Sequence, residues 1–253
     1  MLVSVLASGS EGNCTYINAG GKKILIDVGM TYKYLTNNLN ELGVLPSEID
    51  YVLITHSHSD HTGAIKQFFK NNKPTVFISK DCLDDIDELK GYEDVCTDDG
   101  ELNLGDIIID TFNTSHDAPG SRGYIINDYE KSFVYITDTG YINSRLFKKL
   151  ENHNIYVFES NHDIELLMHG SYPAWLKRRV SSDEGHLSNS QASFYLSKLV
   201  GDKTEKVILA HISKENNDPM IALGTVRDYF KENNLSFDNF EVAKQRERIE
   251  INI

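Results

Sequence analysis

Four side chains able to ligate a divalent ion fall within six residues, at His56-Ser57-His58-Ser59-Asp60-His61. Imidazole and carboxylate groups at this density suit zinc or a similar ion. They directly follow Tyr51-Val52-Leu53-Ile54, an apolar run that reads as a buried strand, so the ligands stand where a strand gives way to a loop. Alternation there turns His56 and His58 to one side, while Asp60 and His61 face a second point. A polar loop that is rich in histidine by chance is the poorer explanation.

The same pattern recurs along the chain. Apolar runs end in a potential ligand or acid at Ile24-Leu25-Ile26-Asp27, Ile54-Thr55-His56, Val134-Tyr135-Ile136-Thr137-Asp138, Val157-Phe158-Glu159 and Ile208-Leu209-Ala210-His211. Ionisable groups are costly inside a core unless they are paired or bound to metal. Any one instance fits a capped strand end; five together predict strands whose ends share one rim and line one polar cleft. Strand-like runs are read at 2–6, 15–18, 23–27, 51–55, 75–78, 107–112, 123–127, 132–137, 155–159 and 206–211, with helical patterns such as 32–42, 64–69, 144–150 and 188–199 between them. Strands covered by helices on their outer faces imply a layered α/β protein, whose strand order the pattern leaves open.

The 253 residues show no linker, low-complexity tract or repeat, so a single domain over 1–253 is expected. A formal net charge of −13 argues against wholesale capture of nucleic acid or anionic membrane, although a local basic patch can dominate one face. The N-terminus lacks the basic stretch and long apolar run of an export signal, and no segment is apolar for long enough to span a bilayer. Cys14, Cys82 and Cys96 are odd in number and widely spaced, which argues against a disulfide framework. A cytoplasmic location fits best.

The ordered set Asp27, His56-x-His58-x-Asp60-His61, His116, Asp138 and His211 resembles the metallo-β-lactamase superfamily. That resemblance implies a four-layer αββα sandwich around two divalent ions, zinc or manganese. His56, His58 and His116 would bind one ion, Asp60, His61 and His211 the other, and Asp138 would bridge them. Asp27 is then expected to orient the histidine loop and not to bind metal. The redox diiron branch carries a glutamate where this chain has His58, so hydrolysis is expected over oxygen or NO chemistry. A β-lactam substrate is a poor fit, because the chain shows no export signal and no cysteine after Asp138.

Later motifs narrow the choice. Phe158-Glu159-Ser160-Asn161-His162-Asp163, Gly185-His186-Leu187-Ser188-Asn189 and Leu209-Ala210-His211-Ile212-Ser213 resemble the RNase Z group of phosphodiesterases. There a glutamate and a histidine, matched by Glu159 and His186, deliver a proton to the leaving oxygen. With Ser8-Gly9-Ser10-Glu11-Gly12-Asn13-Cys14, the likeness extends to the YycJ/WalJ group, associated with 5′-to-3′ exonuclease action on DNA. It implies attack on a phosphodiester by a hydroxide held between the ions, with Asp60, Glu159 and His186 as catalytic residues. Ser10, Asn13, His162, Lys177 and Arg178 are the expected substrate contacts, the last two from a basic run with Trp175 and Tyr172 nearby. DNA is the expected partner before RNA, no membrane is involved, and a homodimer is left open. The alternatives are a hydrolase of small cyclic phosphodiesters, an RNase, a thioester hydrolase of the glyoxalase II kind, and a non-catalytic accessory protein of cell-wall signalling.

Overall fold

The computed structural model describes residues 1–97 and 100–252. In chain order the strands are β1 (Leu2–Ala7), β2 (Cys14–Ala19), β3 (Lys22–Ile26), β4 (Tyr51–Leu53), β5 (Thr75–Phe77), β6 (Val95–Cys96), β7 (Leu102–Asn103), β8 (Ile108–Asn113), β9 (Arg122–Asn127), β10 (Ser132–Ile136), β11 (Ile155–Glu159), β12 (Lys206–Ala210), β13 (Phe240–Val242) and β14 (Ile249–Asn252). The helices are α1 (Tyr32–Glu41), α2 (Ser59–Thr62), α3 (Ile65–Asn71), α4 (Lys80–Asp84), α5 (Phe147–Leu150), α6 (Ile164–His169), α7 (Ala174–Val180), α8 (Asn189–Leu199) and α9 (Pro219–Glu232). None of these helices is long and apolar enough to cross a membrane.

The strands make two sheets, ordered β14-β1-β2-β3-β4-β5-β6 and β13-β12-β11-β10-β9-β8-β7. Alternation along each strand sorts its side chains between two faces. In β3, Ile24 and Ile26 enter a core shared by both sheets, together with Val157 and Ile208 from the second sheet. Leu25, between them, points the other way and packs with Leu35, Leu39 and Phe68 of α1 and α3. In β11, Tyr156 and Phe158 likewise face outward onto Leu196 of α8 and Val226 and Phe230 of α9. Apolar strands buried on both faces therefore produce the expected four-layer αββα sandwich.

Parallel pairing explains why ligands gather. β3 and β4 are parallel, as are β10, β11 and β12, so neighbours end at the same rim. Asp27, Asp138 and His211 immediately or almost immediately follow β3, β10 and β12, with φ of 58°, 56° and 56°. Non-glycine residues seldom adopt this left-handed conformation, which costs on the order of 1–3 kcal/mol each and is retained where surroundings enforce it. The chain thus turns sharply at each strand end and leaves a polar side chain at the rim.

Close backbone packing fixes the histidine loop. Asn13 N donates to Asp60 O at 2.7 Å, Gly29 N to Asn13 O at 2.9 Å and Val28 N to His61 O at 2.9 Å. A Cβ on Gly29 would lie 1.6 Å from Asp60 O and 2.7 Å from Asn13 N, so only glycine lets the three segments meet. Gly29→Ala is expected to cost about 1–3 kcal/mol or more and to weaken zinc uptake by displacing Asp60 and His61. Urea unfolding and a zinc titration check this, and wild-type values in both would refute it.

Candidate metal centre

Ligand atoms of His56, His58 and His116 lie within 4.8 Å of one another, as do those of Asp60, His61 and His211. Asp138 reaches both sets: its Oδ2 is 3.2 Å from His61 Nε2, and its Oδ1 is 3.9 Å from His116 Nε2 and 3.4 Å from His211 Nδ1. The structure thus brings together all seven residues in which the sequence analysis anticipated ligands, in two groups with one shared carboxylate between them.

The imidazoles of His61, His56 and His116 are gripped from behind, whereas His58 Nδ1 lies 3.3 Å from His116 Nε2. Asp27, fully buried, accepts from His61 Nδ1 at 2.7 Å, from Thr55 N at 2.8 Å and from Thr55 Oγ1 at 2.9 Å. Thr55 Oγ1 also lies 3.0 Å from His56 Nδ1, and Gly185 O lies 3.2 Å from His116 Nδ1. With Nδ1 engaged, Nε2 is the nitrogen left for the centre. Thr55 went unnoticed in the sequence, although its place between the apolar run and His56 marks it as the residue that links Asp27 to the loop.

Electrostatics follow from the crowding. Burial lowers the basicity of His56, and the charge of His61 lowers it further, so its imidazole stays neutral and its Nε2 keeps a lone pair. Burial works to raise the Asp138 carboxyl, but His211 and His61 outweigh it and hold it well below the usual carboxylate range. His56 Nε2, His211 Nε2 and Asp138 Oδ2 are buried and have no hydrogen-bond partner among the described residues. Buried polar atoms of this kind are normally satisfied, and two nitrogens with one carboxylate oxygen are a donor set that a divalent cation satisfies. The residues present fit such a group.

Glu159 ties this centre to the anticipated proton donor. Its Oε1 lies 2.8 Å from His186 Nδ1 and 2.9 Å from His211 Nδ1, while Oε2 accepts from Thr139 N at 3.0 Å and Leu187 N at 3.1 Å. Burial acts to raise its carboxyl, but the charge of His186 and the bonds from His186 and His211 outweigh that and bring it to about 2. It is fully buried, whereas the His186 side chain is 15% exposed and lines a cleft of about 240 Å³ with Ser10, His58, Asp60, Asp138, Arg179 and His211.

Of the anticipated substrate contacts, Ser10 lines this cleft. Asn13 is fully buried: Oδ1 accepts from Gly9 N at 2.8 Å, and Nδ2 lies 3.0 Å from His61 Nε2 and 3.4 Å from Asp60 Oδ2, so it braces the loop from within. His162 lines a separate cavity with Met168 and Phe194, and burial pushes its imidazole down to about 4, keeping it neutral. Lys177 Nζ is bound to Met168 O at 2.7 Å, and Arg178 is exposed and is not among the residues lining the cleft. From that basic run it is Arg179 that reaches the cleft, its fork engaged by Asp117 beside His116. Composition marks a basic run; only helical placement selects the member that turns inward.

The shared grip of Glu159 generates a prediction. Glu159→Ala removes the support of His211 as well as His186, and is expected to weaken metal binding about 10–100-fold, as lost supporting carboxylates do. His186→Ala leaves His211 held and is expected to retain metal nearly as tightly as wild type. Competition with a chelating dye separates the two; equal losses would contradict the geometry.

The metallo-β-lactamase superfamily pattern matches residues 7–211. Exodeoxyribonuclease WalJ of Streptococcus pneumoniae is 37% identical over 221 residues, spanning 85% of this chain and 82% of that protein. Exodeoxyribonuclease YycJ of Bacillus anthracis is 33% identical over 236 residues, spanning 90% and 89%. Among solved structures, the metallo-β-lactamase fold protein YhfI of Bacillus subtilis superposes with a TM-score of 0.72 at 16% identity, covering 98% of both chains. The sandwich, the rim of ligands and these relatives agree: the chain belongs to the metallo-β-lactamase superfamily of metal-dependent hydrolases, in the group that includes WalJ and YycJ.

Proposed function

We propose that this chain is a cytoplasmic exodeoxyribonuclease, a single 253-residue domain that uses two zinc or manganese ions to hydrolyse DNA phosphodiesters. Attack from a 5′ end is the polarity that the resemblance to the YycJ/WalJ group implies. WalJ and YycJ, the two exodeoxyribonucleases matched over most of their length, support DNA as substrate. The observation that carries the reading is the His186 side chain, exposed by 15% in the same cleft as Asp60, Asp138 and His211 and tethered at 2.8 Å to Glu159. A sugar oxygen leaves a phosphodiester as a basic alkoxide and needs a proton; a thiolate leaves without one. That distinction favours a phosphodiester over a thioester.

When bound, paired divalent ions acidify water and polarise the phosphoryl oxygen. His56, His58 and His116 would hold one ion, Asp60, His61 and His211 the other, with Asp138 shared. The protein's own contribution is position and protonation. Glu159 fixes the His186 ring through Nδ1–H at 2.8 Å, which turns the opposite nitrogen toward the cleft. The opposite nitrogen, Nε2, then gives its proton to the departing sugar oxygen as the P–O bond breaks.

Incubation with 5′-phosphorylated, 3′-labelled duplex DNA in zinc or manganese tests this, with RNA, a cyclic dinucleotide and a thioester in parallel. Stepwise release of 5′ mononucleotides from DNA is expected, and Asp60→Ala is expected to be inactive. Preferential thioester cleavage would sink the proposal. His186→Ala is expected to lose about 10²–10⁴-fold in kcat on DNA and far less on bis(p-nitrophenyl) phosphate, whose leaving group needs no proton. Equal losses on both substrates would remove the proton-donor role.

A further inference from the structure

A protein with net charge −13 that handles a polyanion needs a surface where cations outnumber carboxylates. The cleft at the metal centre is not that surface, since Arg179, which lines it, is bound to Asp117. A second depression, of about 510 Å³, has a different make-up. Thr111, Thr114, Ser115, Tyr141, Arg145 and Lys149 line it, and no carboxylate is among its described lining residues. Arg145 is exposed, and its guanidinium has no ion-pair partner among the described residues. Lys149 Nζ sits at the lip, held at 2.8 Å by both Asp110 Oδ1 and Thr111 O. Tyr141 is 40% exposed.

The depression is continuous in chain with the metal centre. Ser115 precedes His116, and Tyr141 follows Asp138-Thr139-Gly140. The two segments are stitched together by Gly140 N donating to Ser115 O at 2.9 Å, Ser115 N to Thr139 Oγ1 at 3.1 Å and Thr139 Oγ1 to Tyr141 O at 2.8 Å. Each carries a candidate metal ligand at one end and lines the depression at the other. Along the chain, the lining residue Ser115 is one residue from His116 and Tyr141 is three from Asp138.

We propose that this depression is the track for a single-stranded nucleic-acid backbone next to the cleaved phosphodiester, with Arg145 taking a phosphate and Tyr141 stacking on a base. The inference rests on the nuclease reading above and names its extended substrate site. A free guanidinium fork matches phosphate oxygens, threonine and serine hydroxyls donate to them, and an exposed phenol ring offers a face to any base. No carboxylate is among the described lining residues, and Asp110 at the lip is paired with Lys149, so Arg145 supplies the positive charge that a polyanion meets there.

The test measures binding of a short, 3′-fluorescent single-stranded DNA with cleavage-resistant phosphorothioate linkages to the zinc-loaded protein, across a salt series. Hydrolysis of unmodified oligonucleotides and of bis(p-nitrophenyl) phosphate is followed in parallel. Arg145→Glu is expected to weaken DNA binding about tenfold at low salt and to lower the slope of log affinity against log salt by about one. Tyr141→Ala is expected to weaken it at least about fivefold. Lys70→Glu makes the same charge change on α3, against the other sheet, and is expected to bind as wild type does. Equal weakening by Arg145→Glu and Lys70→Glu would overturn the track while leaving the nuclease reading intact. A wild-type protein that hydrolyses bis(p-nitrophenyl) phosphate but neither binds nor cuts DNA would remove the nuclease reading, and the track with it.

Discussion

Carboxylates that hold imidazoles by Nδ1 are the interaction on which the rest of this structure depends. Asp27 has three donors and Glu159 four, and both are fully buried. A buried carboxylate is tolerated only when so satisfied, and stripping one of its charged partners costs about 3–5 kcal/mol. That cost makes the geometry rigid. The imidazoles cannot rotate away without leaving a charge unpaired, so their free nitrogens stay aimed at common points.

The sandwich exists, in functional terms, to deliver these carboxylates. Neighbouring parallel strands must end together, and left-handed turns at Asp27, Asp138 and His211 stop the chain from carrying the side chain past the rim. Glu159 adds a coupling that a simple pair would lack. One oxygen serves both His211, in the ligand cluster, and His186, at the cleft, so position at the metal centre and position of the proton donor are set by the same atom.

Much of this was legible in the sequence because its signals are local. Ten strands were read from apolar runs, and their boundaries agree with the structure to within about two residues. The four strands not read, β6, β7, β13 and β14, are the edges of the two sheets. Edge strands here are two to four residues long and partly exposed, so burial imposes little pattern on them. Asp27, His56, Asp138 and His211 were legible for the same reason, since each ends an apolar run, and His58, Asp60 and His61 by their density behind His56; His116 ends no such run and came only from the family resemblance. Asn13 and Lys177 were not legible, because a polar residue in a glycine-rich turn or a basic run reads alike whether it faces solvent, substrate or backbone. The Arg145 depression escaped too, since it is assembled from two separate segments of unremarkable composition.

The chain is strongly acidic, yet its polar centre is built from buried histidine and carboxylate, a donor set that suits a divalent cation. The claim beneath every functional step is that two ions share Asp138. Metal stoichiometry by elemental mass spectrometry, on wild-type protein and on Asp138→Ala after zinc loading and desalting, tests it most directly. Two ions per chain are predicted for wild type, with a loss at the substituted centre. A wild-type chain that retains none, or an Asp138→Ala chain that binds as many ions as tightly, would contradict it.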